Sequence, residues 1–203
     1  MTPLDRIQAT LKTGQEKLVN NDKTLDFSLL DFWRWSASDI LSNATRGRFA
    51  EFIVATATNI DIKQIREEWS PFDLETSDGI KIEVKSAAYL QSWFQQALSK
   101  ISFRTKATLS WDSITNIQAE IARRSADVYV FCLLHHGNKL TVDPLNLDQW
   151  EFYVLATAEL NKYERSQHSI TLKSLQGLTK AVEYDKLDQE IKNKNSLNKQ
   201  YRL

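Results

Sequence analysis

Residues 71–85 alternate apolar and polar side chains around one short interruption. Phe72 and Leu74 alternate with Asp73 and Glu75, Ser77-Asp78-Gly79 breaks the pattern, and Ile80, Ile82 and Val84 then alternate with Lys81, Glu83 and Lys85. Successive side chains of a strand point to opposite faces, so the pattern predicts a β-hairpin with one apolar and one charged face. Gly79 suits a turn position of positive φ. A three-residue loop sets Leu74 opposite Ile82 and Asp73 opposite Glu83, which makes the apolar faces coincide. A two-residue loop sets Leu74 against Glu83, so the longer turn is expected.

The remaining elements follow from the same kind of pattern. Behind a polar arm at about 1–26, Leu29, Leu30, Trp33 and Ile40 line one stripe of a predicted helix over 29–41. Phe32, Trp33 and Trp35 read as core or subunit contacts. A second helix is expected over 46–58, capped by Asn43 or Thr45. Within 49–58 Glu51 is the only charged side chain, and Arg48 lies three residues earlier on the same side. Residues 62–69 are expected to form a first strand leading into the hairpin. Ile114, Ile117 and Ile121 recur at helical spacing after the potential cap Asp112, predicting an amphipathic helix that ends near Arg124. Residues 126–134 are almost continuously apolar, as in a strand covered on both faces, and 149–157 offer another strand. Residues 170–175 read as an edge strand and 185–194 as a short helix carrying Leu187 and Ile191. The order αβββαβ implies an α/β fold with a central mixed sheet of about five strands flanked by helices.

Composition narrows the class. The 203 residues are 42% hydrophobic and 26% charged, consistent with a single domain with a helical extension at about 1–42 and another extension at about 158–203. No apolar run reaches the ~20 residues of a membrane span, and the opening residues do not form a secretory signal, so a cytoplasmic protein without membrane partners is expected. Cys132, the single cysteine, lies in an apolar run and reads as a buried thiol. Its grouping with His135 and His136 is a weak metal signal, because adjacent residues on a strand face opposite ways. Lys plus Arg and Asp plus Glu are 26 each, which argues against indiscriminate coating of nucleic acid but leaves room for a local cationic cleft. Lys85, Lys100, Arg104 and Lys106 form an acid-free stretch interleaved with Tyr89, Trp93 and Phe103, a pattern for phosphate and base contacts or for an ordinary surface.

The hairpin carries the candidate chemistry. Cβ atoms of opposed residues lie about 5 Å apart, so Asp73 and Glu83 repel unless a cation lies between them. Mg²⁺ prefers such oxygen ligands and retains waters when held by one or two carboxylates. Lys85, about 6.6 Å along the strand from Glu83, is placed to orient or deprotonate an attacking water and to offset transition-state charge. The alternative is a solvent-facing hairpin with ordinary cross-strand ion pairs.

Asp73 followed by Glu83-Val84-Lys85 on the next strand resembles the PD-(D/E)xK superfamily of restriction-endonuclease-like nucleases, over about residues 43–135. Phe72 stands where that motif has Pro directly before Asp. The resemblance implies a restriction-endonuclease-like core, Mg²⁺ with Mn²⁺ able to substitute, and metal contacts from Asp73, Glu83, the Val84 backbone carbonyl and Glu51 of the preceding helix. It implies catalytic roles for Asp73, Glu83, Lys85 and Glu51, and matches Gln91 to a glutamine found beyond the lysine in some members. Arg48, Gln91, Lys100, Arg104 and Lys106 are the candidate nucleic-acid contacts. The expected activity is metal-dependent hydrolysis of phosphodiester bonds by a DNA endonuclease in restriction or repair. Double-stranded DNA is the expected partner, and a homodimer is expected because one site cuts one strand. A catalytically inactive nucleic-acid-binding or regulatory module with the same fold, or a structural subunit of an assembly, are the alternatives.

Overall fold

The computed structural model describes residue 4, residues 6–112 and residues 114–201. In chain order the elements are β1 (Lys17–Asn20), β2 (Lys23–Ser28), α1 (Leu29–Ala37), α2 (Asn43–Ala57), β3 (Leu74–Glu75), β4 (Lys81–Ala88), β5 (Ser102–Arg104), β6 (Trp111–Asp112), β7 (Ile117–Gln118), β8 (Val128–Leu134), β9 (Trp150–Ala156), α3 (Thr157–Asn161), β10 (Ser169–Thr171), α4 (Leu172–Gln176) and α5 (Leu187–Gln200). Among the described residues, no helix is long and apolar enough to cross a membrane.

The central sheet is mixed and has four strands in the order β3-β4-β8-β9. Strand β8 is buried along its full length, and it runs parallel to β4 and antiparallel to β9. Strand alternation splits the core between two faces. Ile82, Val84, Val130, Cys132 and Val154 pack with Ala50, Ile53 and Val54 of α2 and with Leu187 and Ile191 of α5. On the other face Tyr129, Phe131, Leu133 and Tyr153 pack with Phe103 of β5, Ile170 of β10, Leu160 of α3 and Leu175 of α4. Helix α5, from the C-terminal extension, therefore closes the main core. Burial raises the Cys132 thiol well above its ordinary range, as expected of an inert core cysteine. His135 and His136 are engaged with the Asp148 carbonyl and the Thr141 hydroxyl.

The hairpin register is the expected one, with Leu74 opposite Ile82 and Glu75 opposite Lys81. The loop closes through Thr76, whose amide donates to the Ile80 carbonyl and whose hydroxyl accepts from the Ile80 amide, and Gly79 has φ +76°. Asp73 has left the ladder: its amide donates to the Ile82 carbonyl and its Oδ2 accepts from the Val84 amide at 2.7 Å. The expected opposition of Asp73 and Glu83 is thus replaced by a carboxylate clipped to the backbone of β4.

Several expected elements differ. Residues 62–69 form turns and irregular chain rather than a strand, so the sheet has four strands instead of about five. Among the described residues of 112–124 the expected crossover helix is also absent. Ile114, Ile117 and Ile121 are 83%, 66% and 76% exposed, and with no surface to bury them their helical spacing gains nothing. Asp112 instead uses its Oδ1 to accept from the amides of Ile114 and Thr115, and Asn116 takes a left-handed conformation that turns the chain into the β6–β7 pair. Part of the expected polar arm is the β1–β2 hairpin, and α1 buries none of its residues, so Trp33 and its neighbours lie outside the main core. Helix α2 is capped by Ser42 rather than by Asn43 or Thr45. The expected edge strand at 170–175 is divided: β10 pairs with β5, and α4 follows at once.

Candidate active site

Four carboxylates approach one edge of the sheet. Glu51 comes from α2, Glu68 and Asp73 from the chain that precedes β3, and Glu83 from β4. They are arranged along adjoining hollows rather than in one cup. Glu51 and Asp73 line the first hollow, Asp73 and Glu83 the second, and Glu83 and Lys85 the third. Asp73 and Glu83 are each shared by two hollows and so connect the row.

Cations already lie among these groups. The Arg66 guanidinium is hydrogen-bonded and ion-paired to Glu51 through Nε and to Glu68 through Nη1, and its Nη2 lies 3.9 Å from Asp73 Oδ1. Lys85 Nζ pairs with Glu83 Oε1 on the same strand face. Side chains of Glu51, Asp73 and Glu83 are 12%, 21% and 21% exposed, so water compensates their mutual repulsion only in part. Burial, followed by the charge of Asp73, raises the Glu83 carboxyl above its ordinary value. Burial also raises that of Glu51, against the opposing pull of Arg66.

Beyond Lys85 the third hollow is lined by Arg104, Lys106, Arg123, Arg124 and Tyr129. Arg124 is committed to the fold through the Thr105 and Gln167 carbonyls and the Asn161 and Gln167 side chains. Arg104, Lys106 and Arg123 are exposed, and none of their side chains has a partner among the described residues. The second hollow is walled by Trp69 and Trp111, packed edge to face with ring centroids 5.3 Å apart and 60% and 37% exposed.

The remaining candidates do not all reach the site. Arg48 lines the first hollow but does not pair with Glu51, whose partner is Arg66. Gln91 is buried, with its side-chain amide donating to the Ala88 carbonyl and Ser99 hydroxyl while its carbonyl accepts from buried Arg46. Its role is therefore to brace the end of β4. Lys100 is exposed. Three groups at the site escape the sequence pattern. Arg66 and Trp69 lie in the segment expected to be a strand, although Lys63-Gln64-Ile65-Arg66-Glu67-Glu68 has no period-two alternation, and that absence is the signal available against a strand. Arg123 lies at the end of the expected helix that does not form.

A mixed α/β sheet with an acidic edge that runs into free cations and exposed indoles defines a protein equipped to handle a polyanion. The family model described as bacteriophage T4 endonuclease IV matches residues 4–174, and the chain belongs to that family. It is accordingly a nuclease. No curated protein matches the chain.

Proposed function

We propose that this nuclease is a Mg²⁺-dependent DNA endonuclease with a PD-(D/E)xK-type site formed by Asp73, Glu83 and Lys85, and with Glu51 as an accessory acid. The observation that carries the reading is the continuity of the Asp73–Glu83–Lys85 row with the unpaired Arg104, Lys106 and Arg123. Among the described residues, no three potential ligands are gathered tightly enough to hold one ion as they stand. The donor set nonetheless fits a hard ion that keeps several waters, since the carboxylates repel one another and a guanidinium stands among them as a cation. Asp73 and Glu83 would hold the ion, assisted by Glu51 and the Val84 carbonyl, with Mn²⁺ substituting for Mg²⁺. When bound, it supplies Lewis-acid polarisation of the scissile phosphate.

The chain's own groups do the rest. Lys85, held by Glu83, orients the attacking water and offsets charge that builds on the phosphoryl oxygens. Arg104, Lys106 and Arg123 hold flanking phosphates, while Trp69 and Trp111 offer ring faces and edges to an unstacked base. Restriction or repair of DNA is the task this equipment suits, and a homodimer would bring two sites to a duplex. The test is Lys85→Ala assayed with Mg²⁺ on single-stranded and duplex DNA. Cleavage is expected to fall by at least about a hundredfold with an unchanged circular dichroism spectrum, and light scattering of the wild type on duplex DNA is expected to show a dimer. An unchanged cleavage rate in Lys85→Ala would refute the assigned mechanism.

A further inference from the structure

The proposed chemistry does not use Arg66, a cation standing among the acids. Arg66 pairs with Glu51 and Glu68 and reaches toward Asp73. Two of these three acids, Glu51 and Asp73, are proposed metal ligands. A guanidinium and a divalent ion cannot both occupy the space between the same carboxylate oxygens, because each would be held against the other's charge. We infer that Arg66 is the resident counter-ion of this site, a positioning residue that holds the carboxylates together until a divalent cation replaces it. The inference rests on the proposed metal-dependent reading.

The elements involved favour exchange. Glu51 stands on α2, whose Ala50, Ile53 and Val54 are locked into the core, and Asp73 is clipped to the backbone of β4. Arg66 stands on irregular chain at 61–69 that belongs to no strand or helix. Glu51 and Asp73 are therefore fixed while the arginine sits on the softer support, so the guanidinium can leave without dismantling the ligand frame. That irregular chain has another attachment through the Trp69–Trp111 contact, which lets Arg66 swing while the segment remains anchored. Linkage makes the competition reciprocal: Arg66 weakens cation binding by the same factor by which the cation loosens Arg66.

The experiment is calorimetric titration of Mn²⁺ into the full chain without DNA, for wild type, Arg66→Gln and Arg66→Lys. Arg66→Gln is expected to bind Mn²⁺ about tenfold more tightly than wild type, a factor within the range of ordinary site coupling. Arg66→Lys, which keeps the charge but cannot bridge two carboxylates in one plane, is expected to fall between them. Melting in chelator adds a second readout: Arg66→Gln should melt below wild type, and saturating Mn²⁺ should close that gap. If Arg66→Gln leaves the chain unfolded in chelator, the Arg66→Lys affinity alone decides. Wild type binding Mn²⁺ as tightly as the variants, or more tightly, overturns the counter-ion role and leaves the metal-dependent reading intact. No binding by any of the three overturns both. Binding by Arg66→Gln but not by wild type supports the inference in its strongest form.

Discussion

Glu83 illustrates how little of a carboxylate's behaviour is its own chemistry. On β4 it faces away from Ile82 and Val84, pairs with Lys85, and carries a carboxyl raised above the ordinary 4.5 by burial and by Asp73. A carboxyl whose pKa is raised by folding stabilises the native state when protonated. Its contribution is complete below the unfolded value and is lost as pH rises through the folded value. Glu83→Gln, which stays neutral, should therefore gain on wild type as pH rises from 4.5 to 7 in chelator. Thermal melts at several pH values check this, and a difference that moves the other way would show that the Lys85 pair outweighs desolvation. On the proposed metal-dependent reading, the same variant should also lose Mg²⁺-dependent cleavage. The Glu83–Lys85 face was legible in the sequence because period-two alternation identifies a shared face, whereas the departure of Asp73 from the ladder was not. Arg66 was not, since its importance lies in contacts with Glu51 and Asp73 that no local pattern encodes.

The β3–β4 hairpin was predictable down to its register, and the reason is local. Apolar faces must coincide, and only one loop length achieves this with Gly79 at a position of positive φ. Gly79→Ala has room for its Cβ, the nearest atom being Glu75 Oε1 at 3.9 Å, so its cost comes from backbone strain alone. The substitution should lower stability by about 1 kcal/mol, seen in urea as a lower midpoint with an unchanged slope. The segment at 112–124 shows the opposite case. Its isoleucines have helical spacing and Asp112 is a good cap residue, yet the chain turns there. Helical periodicity describes a stripe that needs a surface to cover, and the neighbouring elements provide none.

Charge on this chain is neutral in sum and segregated in space. The 26 acidic and 26 basic residues cancel, but the sheet edge runs from Glu51 and Asp73 through Glu83 and Lys85 to Arg104, Lys106 and Arg123. On the proposed reading, phosphates gather at the basic end of this row and one of them is hydrolysed at the acidic end. Replacing Arg104 and Arg123 with Gln should weaken DNA binding across unrelated sequences. It should also lower the slope of log affinity against log salt by about 1 for each phosphate that is no longer neutralised. Fluorescence anisotropy at several salt concentrations measures this, and an unchanged slope would remove these residues from the DNA path. Order along the chain was enough to mark the hairpin, the buried β8 run and the shared face of Glu83 and Lys85, because each rests on contacts between near neighbours or on a strand's own periodicity. The row of hollows, the Arg66 bridge and the place of Arg123 beside Lys85 came into view only with folding. They join residues far apart in the chain, and long-range electrostatic and packing contacts leave no periodic trace in a sequence.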